Sequence, residues 1–356
     1  MKFDFFKEST PPLIGVDIST SAVKMVELSS SGKGSYRLEG YATAAIPRDA
    51  ILDGNIVALD QVSDAVKLAW KLLGSREKRA ALALPSAAVI TKKVMFSNEL
   101  REEDMEVQVE AEANQYIPFP LEEVNIDFQV VGQSPASPDE VEVLIAAARK
   151  EKIEDRVAAA EDAGLKVIVM DVDTYATEAA YSLVANQLPN AGKEQTVMIV
   201  DMGAAMMHIN VLHDNKSIYV REQAFGGSQL TQEIQRRFGL SAEEAEIAKR
   251  KGGLPESYDI EVLQPFMQSL STEVARALQF FTSSTSYNRV DHIVLAGGCA
   301  AIPAIDVLVQ DRTQVNSVVA NPFQGMSFSS RIKQQQVAAD APALMIACGL
   351  AMRGVE

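Results

Sequence analysis

The sequence predicts an α/β protein of two similarly built halves, with a smaller unit inserted into the first half. Three observations carry that prediction. Residues 14–28 read as an apolar strand ending in Asp17, a turn of small residues, and a second strand. Residues 199–212 repeat the plan, with an apolar run ending at Asp201, the turn Gly203-Ala204-Ala205, and alternation resuming. The two aspartates lie 184 residues apart. Within residues 85–165 a strand–helix–strand–strand–helix pattern interrupts the first half and is small enough to be a subdomain.

Such a pair of hairpins suits triphosphate binding. A tight turn of Ser, Thr, Ala and Gly lets backbone N–H groups approach anionic oxygens, because no large side chain intervenes. Ser19, Thr20 and Ser21 add hydroxyl donors, and Lys24 places a positive charge near the same turn. Asp17 and Asp201 could hold Mg²⁺ largely through water, since that ion keeps most of its hydration shell and takes few carboxylates. Either hairpin alone reads as readily as an ordinary β-hairpin with a polar turn. The repetition favours the functional reading.

Composition narrows the classes. A chain of 356 residues is long enough for two domains or one bilobal unit with a sizeable core. Its 47% hydrophobic and 23% charged residues are ordinary for a globular protein. A net charge of −15 argues against a nucleic-acid partner and against adhesion to an anionic membrane. No apolar run approaches the ~20 residues of a spanning helix, and the opening MKFDFFKEST lacks the apolar core of a signal peptide. Cys299 and Cys348, far apart in apolar surroundings, fit buried thiols in a reducing compartment, so the cytoplasm is expected.

In chain order, Phe3, Phe5 and Phe6 are expected to pack on the body. A loop is expected over residues 29–35, a strand over 36–45, a helix over 57–73 closed by Gly74, and a strand over 80–84. The inserted unit supplies an extended segment at 91–96, an acidic helix at 99–116 stopped by Pro118 and Pro120, strands at 124–130 and 141–147, and a helix at 150–163. A strand at 166–170 and a helix from Thr174 return to the first half. After the second hairpin come Gly226-Gly227, helices at 229–238, 242–251 and 261–283, a buried strand at 293–296 running into Gly297-Gly298, and a helix at 302–309. Residues 321–330 read as loop and 341–352 as a closing helix.

These pieces, in this order, resemble the actin-like ATPase superfamily: a first phosphate loop, a second about halfway along, then a glycine pair for adenosine. The insertion resembles that of its FtsA branch. The segment at 111–127, AEANQYIPFPLEEVNID, is similar to the PilM-like family of type IV pilus assembly proteins. The resemblance implies an actin-like (ribonuclease H-like) bilobal α/β fold with duplicated halves and an FtsA-type inserted subdomain. The units would be residues 12–84 plus 166–192, the insertion 85–165, residues 193–225 plus 290–356, and a helical nucleotide-flanking unit at 226–289. It implies ATP or ADP with Mg²⁺ between the halves. It also implies a groove in the first half for the cytoplasmic N-terminal peptide of an inner-membrane PilN-like protein, near residues 89–94, within a larger pilus machine.

Carried over by position, Asp17, Ser19, Thr20, Ser21 and Lys24 fall on the first phosphate loop, and Asp201, Gly203 and Ala204 on the second. Gly226 and Gly227 match the glycine pair ahead of the helical unit, Glu246 and Lys249 the Glu-x-x-Lys flanking adenine and ribose, and Gly297 and Gly298 the adenosine loop. Asp173 matches a water-orienting carboxylate or amide in hydrolytic relatives. One stretch departs from the pattern: Ala204, Ala205, Met206 and Met207 stand where hydrolytic relatives carry Gly and Thr. Loss of one aimed donor can lower a rate by ~10²–10³, so nucleotide binding with weak turnover is expected.

Plainer roles remain open for several of these residues. Lys24 could be a solvated cation, Asp173 the N-cap of the helix from Thr174, and Glu246 with Lys249 a surface pair worth ~0.3 kcal/mol. His208, His213 and His292 show no ligand spacing. The alternatives to a nucleotide-dependent scaffold are an active ATPase or sugar kinase, which would need an intact second loop, and a filament-forming cytoskeletal protein.

Overall fold

The computed structural model describes residues 12–32, 35–134 and 137–354. The packing expected of Phe3, Phe5 and Phe6 lies outside the described residues.

The first half opens with β1 (Ile14–Ile18), β2 (Ala22–Gly32) and β3 (Ser35–Ala45). The loop expected over residues 29–35 is largely strand, because Ser29 Oγ donates to Glu39 Oε1 at 2.7 Å across the ladder and holds the serines in register. A small ribbon, β4 (Ile51–Leu52) and β5 (Asn55–Ile56), leads to α1 (Leu59–Leu73) and β6 (Arg79–Leu84). The inserted unit follows: β7 (Val89–Ser97), α2 (Glu102–Tyr116), β8 (Val124–Gln133) and β9 (Glu140–Arg149); α3 (Lys150–Asp162), expected within it, packs instead on α1 and β10 of the first half, with Ala159 and Ala160 in that half's core. Helix α2 starts three residues later than expected. A turn in which Leu100 N–H reaches the Ser97 carbonyl, with Glu99 N–H on Ser97 Oγ, occupies the intervening residues. β10 (Lys166–Val172) and α4 (Asp173–Val184) complete this half.

The second half comprises β11 (Thr196–Met202), β12 (Met207–His213), β13 (Lys216–Gln223), α5 (Gly227–Phe238) and α6 (Ala242–Lys251), the last opened by a Ser241–Glu244 capping box. One π-type turn (Asp259–Leu263) precedes α7 (Gln264–Ser284). Then come β14 (His292–Ala296), α8 (Ile305–Thr313), β15 (Asn316–Val319), β16 (Ser327–Phe328), α9 (Gln334–Asp340) and α10 (Met345–Met352). Residues 298–301 form a 3-10 turn, which delays α8 beyond the expected Ile302.

Sheet topology makes the duplication explicit. The first sheet runs β10-β6-β1-β2-β3, the second β15-β14-β11-β12-β13. Each is an antiparallel three-strand meander with two strands added parallel to its first member. β1 and β14 are buried at every position, which is why they read as unbroken apolar runs. The insertion is a separate antiparallel sheet, β7-β9-β8, with α2 packed on one face through Met105 and Val109 against Val143 and Ile145.

The C-terminal end departs from expectation. β16 falls in the stretch read as loop and adds to the outer edge of the first sheet, parallel to β3. Helix α10 packs on β1 and α4 of the first half. Assigning residues 290–356 wholly to the second half therefore fails for these two elements. The physical reason is the composition of α10, Met-Ile-Ala-Cys-Gly-Leu-Ala-Met. Its small residues let it sit directly on backbone: a Cβ at Gly349 would lie 1.8 Å from the Ala176 carbonyl oxygen. A core cluster joining Val26, Leu28 and Tyr181 to Val197, Leu212 and Met345 welds the halves together along this side.

Candidate functional site

The turns of the two meanders open into one cleft of about 1750 Å³. Of the residues singled out by sequence, Asp17, Ser19, Thr20, Ser21, Lys24, Asp173, Asp201, Gly203, Ala204, Gly227, Glu246, Lys249 and Gly298 line it. Gly226 and Gly297 are not among its lining residues.

In the first hairpin, Asp17 and Lys24 are partners across the β1–β2 ladder. Lys24 Nζ donates to Asp17 Oδ2 at 2.8 Å and reaches Ser19 Oγ at 3.4 Å, while Ser19 Oγ donates to the Ala22 carbonyl at 2.8 Å. Lys24 is thus not a solvated cation. Burial pulls its pKa down, but Asp17 and, across the cleft, Asp201 outweigh that and leave it above its ordinary value. Burial raises the Asp201 carboxyl, with His208 and Lys24 opposing and Asp17 adding to the rise. Two carboxylates and one ammonium from different halves therefore share one field.

The second hairpin is built on the same register. Asp201 faces His208 across the β11–β12 ladder as Asp17 faces Lys24, each pair seven residues apart. Matching the hairpins residue for residue would have marked His208 in the sequence; looking for ligand spacing among histidines could not. His208 Nδ1 lies 3.5 Å from Glu222 Oε1 on β13. Burial lowers the imidazole pKa, but Glu222, Asp173 and Asp201 more than reverse it, bringing it to about 9.

Asp173 is the first residue of α4, whose N-cap position is Val172, so it is not the capping residue the sequence suggested. Its Oδ1 instead accepts from Ser86 N–H at 3.0 Å, and Ser86 Oγ donates to Glu222 Oε1 at 2.7 Å. Ser86 thereby ties the first half to the second at the cleft floor. Burial lifts the Asp173 carboxyl to about 6, with His208 opposing and Glu222 assisting.

The glycines work by close approach. The N–H groups of Gly227 and Ser228, at the start of α5, donate to the carbonyls of Gly203 and Ala204 at 3.0 and 2.8 Å. A Cβ on Gly226 would lie 2.4 Å from the Ala204 oxygen. Gly226 and Gly227 thus let the helical unit dock on the second loop. Gly297 has φ 83°, and a Cβ there would lie 2.4 Å from Asp201 Oδ1. Glu246 and Lys249 pair at 2.6 Å, and both contact Thr231 Oγ1 at 2.8 Å. Burial pushes Glu246 up, while Lys249, Thr231 and Arg250 together bring it below its ordinary value. Thr231, Ser86 and Glu222 carried no sequence signal, because each meets its partners only through the fold.

No helix among the described residues is long and apolar enough to cross a membrane, and no cluster of three or more metal-binding side chains occurs among them.

Residues 15–355 match the family described as type IV pilus assembly protein PilM. The structure is similar to that of a PilM-PilN type IV pilus biogenesis complex, with 27% identity, a TM-score of 0.80, and coverage of 98% of this chain and 99% of that one. The sequence is 23% identical to the cell division protein FtsA of Bacillus subtilis (strain 168), over 87% of this chain and 78% of that protein. The fold is shared with the ethanolamine utilization protein EutJ of Carboxydothermus hydrogenoformans, at 15% identity and a TM-score of 0.55, over 96% and 89% of the two chains. An actin-like ATPase fold whose halves repeat one strand order, an FtsA-like insertion and a match over nearly the whole length place this chain in the PilM family of type IV pilus assembly proteins.

Proposed function

We propose that the chain is an ATP-binding scaffold of type IV pilus assembly. It works at the cytoplasmic face of the inner membrane and takes the N-terminal cytoplasmic peptide of a PilN-like protein. The observation that carries the nucleotide half of this reading is the convergence of Asp17, Lys24 and Asp201 on one cleft. The donor set fits a magnesium polyphosphate. Two buried carboxylates suit an ion held through its waters, and Lys24 offers a charge to the phosphates. Gly297 lets the end of β14 pack directly against Asp201, where any Cβ would collide with the carboxylate. The bound nucleotide would supply binding energy to join the two halves.

Turnover is expected to be weak. Residues 204–207 present Ala and Met side chains without hydroxyl donors, and the leading N–H groups of α5 are already engaged by the second loop. Few protein donors are left to meet charge developing at a terminal phosphate.

The peptide half of the reading rests on a second arm of the cleft. Its walls are Ile90 on β7, within the stretch expected from sequence, together with Ile117, Phe119 and Arg149; the guanidinium of Arg149 sits 5.2 Å from the Phe119 ring centre. An apolar wall with one stacked cation suits a short peptide of mixed apolar and acidic character.

Titration calorimetry tests both halves. Mg-ATP is expected to bind one to one, with affinity sharply reduced in Asp201→Asn, and the PilN-like peptide is expected to bind with an affinity that depends on nucleotide. Absence of any heat with Mg-ATP would refute the reading.

A further inference from the structure

The insertion joins the first half through two links, and both are anchored at the cleft. The first passes through Ser86, bonded to Asp173 and Glu222. The second is the direct passage of β9, the central strand of the inserted sheet, into α3 with no intervening loop. Two turns into α3 stands Arg156, only 4% exposed. Its Nη1 donates to the Ile18 carbonyl at 3.2 Å and its Nη2 to the Gly54 carbonyl at 3.1 Å. Ile18 is the last residue of β1, immediately before the Ser19-Thr20-Ser21 turn, and Gly54 is the turn of the β4–β5 ribbon. Both contacts are to backbone, and no carboxylate among the described residues forms an ion pair with this guanidinium; Asp17, Asp173 and Asp155 act on it only from a distance.

A buried guanidinium without a counter-ion is costly to keep. A packing role alone would be filled as well by methionine or leucine. What arginine adds is a rigid fork that grips two carbonyls at once, here one on each segment bordering the first hairpin's turn. We infer that Arg156 is a positioning residue that couples the first phosphate hairpin to the inserted subdomain, so that nucleotide occupancy of the cleft is transmitted along α3 and β9 to the sheet carrying the peptide wall. The inference rests on the nucleotide-binding reading above and adds the route. Movement of the Ile18 carbonyl as the turn closes on phosphate would pull the fork, and α3, continuous with β9, would carry that pull into the β7-β9-β8 sheet.

Hydrogen–deuterium exchange on the full chain, with and without Mg-ATP, tests it. In the natural protein Mg-ATP is expected to slow exchange in residues 14–24 and also in residues 89–97 and 140–149, by at least about fivefold, the lower end of ordinary allosteric coupling. In Arg156→Met the slowing at 14–24 is expected to persist while that in the inserted sheet falls to about none. Arg156→Lys keeps the charge but not the fork, and should transmit only part of the effect; it also serves if the methionine variant does not fold. Unchanged exchange in α1 and β11 without nucleotide reports an intact fold. Full transmission in either variant overturns the inference, as does protection confined to 14–24 in the natural protein. No protection at 14–24 in the natural protein would instead refute nucleotide binding itself, and the inference with it.

Discussion

Lys24 and His208 hold equivalent places, each opposite the aspartate that ends its half's first strand. The Lys24–Asp17 pair is largely withdrawn from water, with side chains 17% and 9% exposed. Removing one member of such a pair strands the other charge, a loss that reaches roughly 3 kcal/mol or more. Lys24→Met is therefore expected to lower unfolding free energy by about 3 kcal/mol in urea without nucleotide, and to weaken Mg-ATP binding as well. Asp173 behaves oppositely. Its folded-state pKa of about 6 lies above the ordinary 3.8, so the fold favours the neutral acid, and stability linked to this group declines as pH rises between those values. Above about pH 6 the ionised carboxylate costs about 3 kcal/mol. Asp173→Asn should therefore gain stability over the natural chain as pH climbs from about 4 to 6, with a constant advantage beyond, read as denaturation midpoints across that range. His208 has the same pH sign by the opposite charge logic: its raised pKa favours the imidazolium, a contribution full below about pH 6.5 and lost as pH rises from there through about 9. The sequence showed Asp173 as a polar residue opening a helix. It could not show that Ser86, 87 residues earlier, would take the carboxylate away from a capping role.

Among elements, those buried on both faces were legible, since β1, β11 and β14 can only be apolar runs. The outline of α1 followed from its apolar stripe at helical spacing and the glycine that closes it. What sequence could not convey was ownership. The apolar segment at 345–352 is a good helix for either half, and only the fit of its small residues on the Ala176 backbone decides which one receives it. That fit leaves no slack. Gly349→Ala must part α10 from α4, and overpacking of this kind costs ~3 kcal/mol, or folding altogether. Scanning calorimetry should show the loss, whereas Gly132→Ala, at an exposed strand position with nothing within 4 Å of the added carbon, should leave the transition within about 0.5 kcal/mol. β16, two residues long, had no pattern to read, and its pairing with β3 exists only once the chain has returned to the first half.

For the whole molecule, the repeated hairpins were enough to indicate two halves, because each repeats both a strand pattern and a terminal carboxylate; the cleft between them was implied by the family resemblance. The connection across the floor was hidden. Ser86 to Glu222 spans the halves with one hydrogen bond, and Ser86→Ala should relax it by ~1 kcal/mol, measurable as a lower melting temperature without nucleotide. A ligand that bridges both halves should act in the other direction. At a hundredfold excess over its dissociation constant, Mg-ATP is expected to raise unfolding free energy by ~2.7 kcal/mol, and the increment should disappear when Asp17 or Asp201 is replaced by Asn.

The seam between the second loop and α5 has a consequence of its own. Gly227 and Ser228 give their N–H groups to the loop carbonyls, so these two donors are spent within the fold and would not be free for the last phosphate of a nucleotide. A receptor with few donors free beside that phosphate distinguishes poorly between a di- and a triphosphate. Such a molecule would register whether a nucleotide is present rather than how long it has been there, an occupancy gauge and not a clock.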